Sequence, residues 1–280
     1  MPYPSKDLLE PILALYETTW PGLAPLIKLA RGLGWDWSEV STPFVAEVDG
    51  AIRAHVGVLE YDLLVDGEVV PACGIHAVCT QPEYRGRGLA RRLMNEALEL
   101  VGYRPACLAT EVPAVYEGHG FVVAPEQRWR GVIVDGGAPV RPVPATVEGA
   151  ALVERLHSER APLSRRLTTL APSWMFGICA CLGGEMGALR YAPALDAVLA
   201  WGVADGRTVL WDVLAPELPP LLDVLAHLPP GEVEIAFGID AFDGVPPGFV
   251  PVAAPEDDLW MVRGLDLPDG AWQMPMLGRH

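Results

Sequence analysis

This 280-residue chain is short of lysine, of paired histidines and of long apolar runs, and each shortage removes a class of function. Lys6 and Lys28 are its only lysines, and 20 basic residues stand against 36 acidic ones for a net charge of -16. Nucleic acid asks for a basic face, so that partner is excluded. No apolar run approaches the ~18 residues of a membrane span, which excludes a membrane partner. The opening Met1-Pro2-Tyr3-Pro4-Ser5-Lys6-Asp7 lacks a basic segment running into an apolar block, so no secretory leader is expected. The cysteines are Cys73, Cys79, Cys107, Cys179 and Cys181, an odd number mostly set in strand-like apolar runs. They read as buried thiols of a reducing compartment, the cytoplasm. No histidine pair at ligand spacing accompanies them, so no metal is expected.

What the chain does have is apolar bulk. Apolar residues make up 51% of it, enough for packed cores, and its length suits two domains. The acidity is spread: residues 1–135 hold 11 basic and 18 acidic residues, a balance of -7, which leaves -9 for the rest. Such a surface is compatible with a cationic substrate drawn in by a negative field.

Apolar spacing predicts helices over 6–17 and 22–33. Strands follow at Phe44 to Val48, Ile52 to Val65 and Val69 to Thr80, with Asp49-Gly50 and Asp66-Gly67 as hairpin turns. A helix over 88–101, a strand from Ala106 to Thr110 and a helical turn over 113–118 come next. Phe121 to Ala124 and Gln127 to Val134 are expected to close this sheet. Residues 136–145, rich in Gly and Pro, read as a linker between a domain over 1–135 and another over 146–280. The second half repeats the order: helices at 147–157 and 162–176, strands at 187–192, 196–203 and 207–214, a helix at 217–228, and strands at 232–239 and 258–264.

The most informative segment is Thr80-Gln81-Pro82-Glu83-Tyr84-Arg85-Gly86-Arg87-Gly88-Leu89-Ala90, where a strand ends, turns tightly and becomes a helix. Glycines let successive backbone N–H groups converge on one anion, and the helix start adds free donors and a positive dipole end. Arg85 and Arg87 add charge, and the whole suits a pyrophosphate. Arg85-x-x-Gly88-x-Ala90 resembles the R/Q-x-x-G-x-G/A loop of the GCN5-related N-acetyltransferases, the GNAT superfamily, as does the run from Val78 to Gly86 before it. The resemblance covers about residues 40–135. It implies an α/β (α+β) fold with a splayed central sheet flanked by helices, and acetyl-CoA as cosubstrate. Val78, Thr80, Arg85, Gly86, Arg87, Gly88, Leu89 and Ala90 would then bind it, and the backbone N–H of Val78 or a neighbour would polarise the thioester carbonyl.

Tyr116, Gly120 and Phe121 match the family's Y-x-x-x-G-F element, which implies Tyr116 as the acid that protonates the leaving thiolate. The base is open between His76, Glu111 and His119. Some aralkylamine acetyltransferases of this superfamily carry a histidine at about the place of His76, which strand alternation puts on one face with Val78 and Thr80. Glu111, or Glu60 and Asp62, could instead hold a substrate ammonium.

In the second half the loop position reads Ala215-Pro216-Glu217-Leu218-Pro219-Pro220. Three prolines remove N–H donors, and Glu217 would repel phosphate, so this half reads as a degenerate copy without the cofactor loop. The expectation is an N-acetyltransferase for a small cationic amine or polyamine, with a homodimer left open. Its alternatives are a protein or peptide N-acetyltransferase and a non-catalytic CoA-binding protein.

Overall fold

The computed structural model describes residues 8–256 and 258–275. Residues 6 and 7, expected to open the first helix, lie outside them. Helices α1 (Leu9–Thr19) and α2 (Leu23–Gly32) lead into strands β1 (Thr42–Val48), β2 (Ala51–Val65) and β3 (Glu68–Thr80). Both Asp-Gly turns between these strands have positive φ at each residue, the conformation that matches strand twist in a two-residue hairpin. Next come α3 (Leu89–Val101), β4 (Ala106–Thr110), α4 (Ala114–Glu117), β5 (Val122–Val123) and β6 (Gln127–Ile133). The remainder holds β7 (Arg141–Pro142), α5 (Val147–Ser158), β8 (Leu167–Thr169), α6 (Ser173–Leu182), β9 (Leu189–Ala192), β10 (Ala197–Ala204), β11 (Arg207–Leu214), α7 (Leu221–Leu225), β12 (Gly231–Ile235), β13 (Val250–Ala253) and β14 (Leu259–Arg263).

These strands form two seven-stranded sheets. One runs β1-β2-β3-β4-β14-β5, with β8 pairing the far end of β2; the other runs β9-β10-β11-β12-β6-β13, with β7 beyond β9. The two paths have the same pattern of strand senses. Each has one parallel pair, β3 with β4 and β11 with β12, and the other pairs are antiparallel. The architectural repeat expected from sequence is therefore present, but the halves trade a strand. Gln127–Ile133 does not close the first sheet; it sits between β12 and β13 of the second, and β14 fills the matching slot between β4 and β5. Side chains lock the exchange: Arg128 and Arg130 of β6 both bind the carboxylate of Glu234 on β12, at 3.2 and 2.8 Å.

Other expectations need correction. Residues 162–176 are not one helix: Leu167–Thr169 pairs with Leu63–Val65 of β2, and Pro172 stands at the start of α6. The helix expected over 217–228 shrinks to Leu221–Leu225, because Pro219 and Pro220 cannot donate within a helix. Composition made residues 136–145 a linker, yet Arg141–Pro142 is an edge strand on β9. The sheets accordingly do not follow the sequence boundary at 135.

Helices α1, α2, α5 and α6 share one core, in which Ile12, Tyr16 and Ile27 meet Val153, Leu156, Phe176 and Val198. Helix α3 covers the other face of the first sheet through Leu93, Met94 and Ala97.

Candidate active site

Strands β3 and β4 are paired only at Cys73 with Ala106 and Gly74 with Cys107, and then part. This splay is the one expected from the resemblance. A groove of about 530 Å³ opens there, lined by Val78, Cys79 and Thr80 on one side and by Val112, Val115 and Tyr116 on the other. The loop that follows β3 forms its head: Arg85, Gly86, Gly88, Leu89, Ala90 and Arg91 also line it. Gly86 and Gly88 have φ of +74° and +76°, a conformation that favours glycine. Helix α3 starts at Leu89 with no side chain capping it, so its first N–H groups point free toward the groove. Arg87 is turned aside. Its guanidinium lies 4.7 Å from the Tyr84 ring centre and donates to the Glu83 carbonyl at 3.1 Å, while Arg53 covers the same ring at 4.8 Å.

Tyr116 is buried, edge-on to Phe121. Burial holds its phenol above the usual range, against a hydrogen bond with Thr110, so the proton stays on at neutral pH. Burial pushes the thiol of Cys79 beside it up to about 12, which disfavours the thiolate.

Strand β3 carries a bulge at this point. His55 pairs with Cys79 and Gly57 with His76, so Val56 alone stands opposite Ala77 and Val78. Ala77 has φ of +48°, a strained value for a residue with a Cβ. The bulge breaks the alternation read from sequence. Val78 packs with Ile75 against α3, whereas Ala77 and Cys79 belong to the opposite face. His76 lies on that opposite face too, not with Val78 and Thr80, and lines a second cavity with Ala77. Its Nε2 is 2.8 Å from the buried Ser41 hydroxyl, and the Trp37 ring meets it edge-on at 5.7 Å.

The other candidates lie apart. Glu111 is exposed just past β4 and lines neither cavity. His119 is half-buried, and burial with the charges of Arg91 and Arg263 holds its pKa below the usual histidine range. Glu60 pairs with Arg104 at 2.6 Å, and Asp62 is exposed. Sequence reasoning missed His55. It is fully buried, burial pushes it down to about 4, and its Nδ1 lies 2.9 Å from the Ala77 carbonyl. Its signal was a lone histidine inside the apolar run Ile52 to Leu59.

A family model for the acetyltransferase (GNAT) domain matches residues 36–124, the segment holding the splay, the bulge and the loop. The chain carries a GNAT acetyltransferase domain. The uncapped start of α3 with Arg85 and Arg91 suits a pyrophosphate such as that of acetyl-CoA. Solved structures similar to it span both sheets. A probable N-acyltransferase from Enterococcus faecalis is 14% identical over 92% of this chain and 70% of its own, with a TM-score of 0.60. Eis1 from Mycobacterium abscessus is 16% identical over 92% and 72%, with a TM-score of 0.58. A GCN5-related N-acetyltransferase from Kribbella flavida is 16% identical over 93% and 70%, at 0.55. At such identities the likeness is one of fold. No curated protein sequence matches this chain.

The second half's counterpart of the loop is closed. The N–H of Leu221, at the start of α7, already donates to the Asp243 carboxylate at 3.0 Å. Among the described residues no group of His, Cys, Asp or Glu could hold a metal, and no helix is long and apolar enough to cross a membrane.

Proposed function

We propose that the chain acetylates a small primary amine by direct attack in a ternary complex, using one working site in the first half. The observation that carries this reading is the bulge. Ala77 lines the second cavity and Val78 the acetyl-CoA groove, so two chambers meet at consecutive residues of one strand. One would hold the donor and the other the acceptor.

Acetyl-CoA supplies the acetyl group as a thioester: the amine nitrogen bonds to the carbonyl carbon, the C–S bond breaks, and CoA leaves as a thiol. The backbone N–H of Val78 donates to the carbonyl oxygen as it gains charge. Tyr116 gives its proton to the departing sulfur. His76, on the acceptor side, takes the proton that the attacking nitrogen loses. Glu111 has no contact with either chamber to support a role as base. The burial of Cys79, which disfavours its thiolate, supports direct attack over an acetyl-cysteine route.

Five free cysteines support a cytoplasmic setting. Initial rates with both substrates varied should give intersecting double-reciprocal lines; parallel lines would overturn direct attack. Calorimetry should find one acetyl-CoA per chain, and two would overturn the assignment of the second half.

A further inference from the structure

The second cavity also bears on what the acceptor is. It has a volume of about 470 Å³, within the ~300–1,000 Å³ common for small-molecule sites. Its walls are Tyr16, Trp20 and Leu26 from the first half, and Trp174, Ile178 and Leu182 from α6 of the second. Among the described residues no carboxylate lines it. A polyamine's second ammonium would find no anion there, despite the net charge of -16. A peptide's amide groups would lie unpaired against indole and aliphatic carbon. The nearby Glu17 carboxylate is outside the lining and is taken up by the N–H groups of Gly22 and Ala24, at 2.9 and 2.7 Å, in holding the α1–α2 turn.

We infer that the acceptor is a primary amine carried on an apolar, preferably aromatic, body, which this cavity holds with its nitrogen toward the Ala77–Val78 bulge. The inference rests on the acetyltransfer reading above. It also assigns the second half a task, because Trp174, Met175, Ile178 and Leu182 of α6 form part of the wall. Apolar walls disfavour an ammonium, so the amine sheds its proton more readily on entry, which eases the work of His76.

The test uses the full chain with acetyl-CoA and reads thiol release for 2-phenylethylamine, spermidine and a short peptide with a free N-terminus. The kcat/KM for 2-phenylethylamine should exceed the others by ~10-fold or more. Leu26→Trp should fill the cavity and Trp174→Ala open it, each raising KM for 2-phenylethylamine several-fold while acetyl-CoA affinity holds. Both positions are partly buried. Without any variant, 2-phenylethanol should compete with the amine and not with acetyl-CoA. If spermidine or the peptide is used as well or better, or if neither the variants nor the alcohol affect amine use, the inference falls and acetyltransfer stands. If no amine releases thiol while acetyl-CoA binds, the acetyltransfer reading itself falls.

Discussion

His55 Nδ1 donates to the carbonyl of Ala77 at 2.9 Å, and so a fully buried ring on β2 fastens the bulge of β3. Tyr16 holds the ring from the other side, its hydroxyl 3.2 and 3.4 Å from the two nitrogens. His55→Ala should loosen the bulge and lower kcat more than acetyl-CoA affinity. His55→Gln, which keeps an N–H donor, should recover part of the loss. Steady-state kinetics beside calorimetry separates the two effects.

The same residue makes stability depend on pH. In the unfolded chain a histidine takes its proton near 6.5, and His55 in the fold does so only near about 4. Between those values the unfolded state binds more protons, so this contribution is full above about 6.5 and is lost as pH falls toward 4. The span is roughly 3 kcal/mol. His157, pushed down to about 3 mainly by burial, acts in the same direction. Urea midpoints should therefore fall between pH 7 and pH 4.5, and less steeply in His55→Gln.

Gly57→Ala tests His76 without touching it. A Cβ at Gly57 would stand 2.2 Å from His76 Nε2, so the ring must leave its place beside Ser41. If His76 is the base, kcat should drop by about 10-fold or more and the acid limb of its pH profile should shift, with acetyl-CoA affinity unchanged. An unaltered profile would show that His76 is not the base.

Gly88→Val should weaken acetyl-CoA binding by about 10-fold or more. A Cβ there meets nothing within 4 Å, so the effect must come through the backbone. Holding a β-branched residue at φ of +76° costs roughly 1–2 kcal/mol, and relaxing it would swing the free N–H groups out of register. Calorimetry on the variant reads this directly.

Tyr116→Phe should lower kcat by about 100- to 10,000-fold with acetyl-CoA affinity nearly unchanged. Full turnover across the pH range would make Tyr116 a packing residue and leave water as the proton donor.

Much of this was legible in the sequence because local chemistry dictated it. Asp-Gly pairs set hairpins, Gly86 and Gly88 set a loop that only positive φ can close, and prolines emptied the matching loop of the second half. What could not be read is what depends on distant partners. The bulge at Ala77 reverses the face of His76, and alternation has no sign of it, since alanine is a poor residue for φ of +48°. The aromatic cavity joins Trp20 to Trp174, residues far apart in sequence. The exchanged strands Gln127–Ile133 and Leu259–Arg263 both read as ordinary closing strands, because either sheet offers them the same antiparallel slot.

That exchange also sets when a ribosome can finish the molecule. Strand β5 emerges at Val122–Val123, but its neighbour β14 is not made until Leu259–Arg263. At roughly 5–20 residues per second, the slot between β4 and β5 stays open for on the order of ten seconds, its backbone edges unpaired. During that interval β4, which ends shortly before the Tyr116-bearing α4, has no partner on one side. The nascent first half is thus an obligate client of its own unfinished C-terminal sequence, and stalled synthesis before residue 259 should yield an aggregation-prone fragment, not an acetyltransferase.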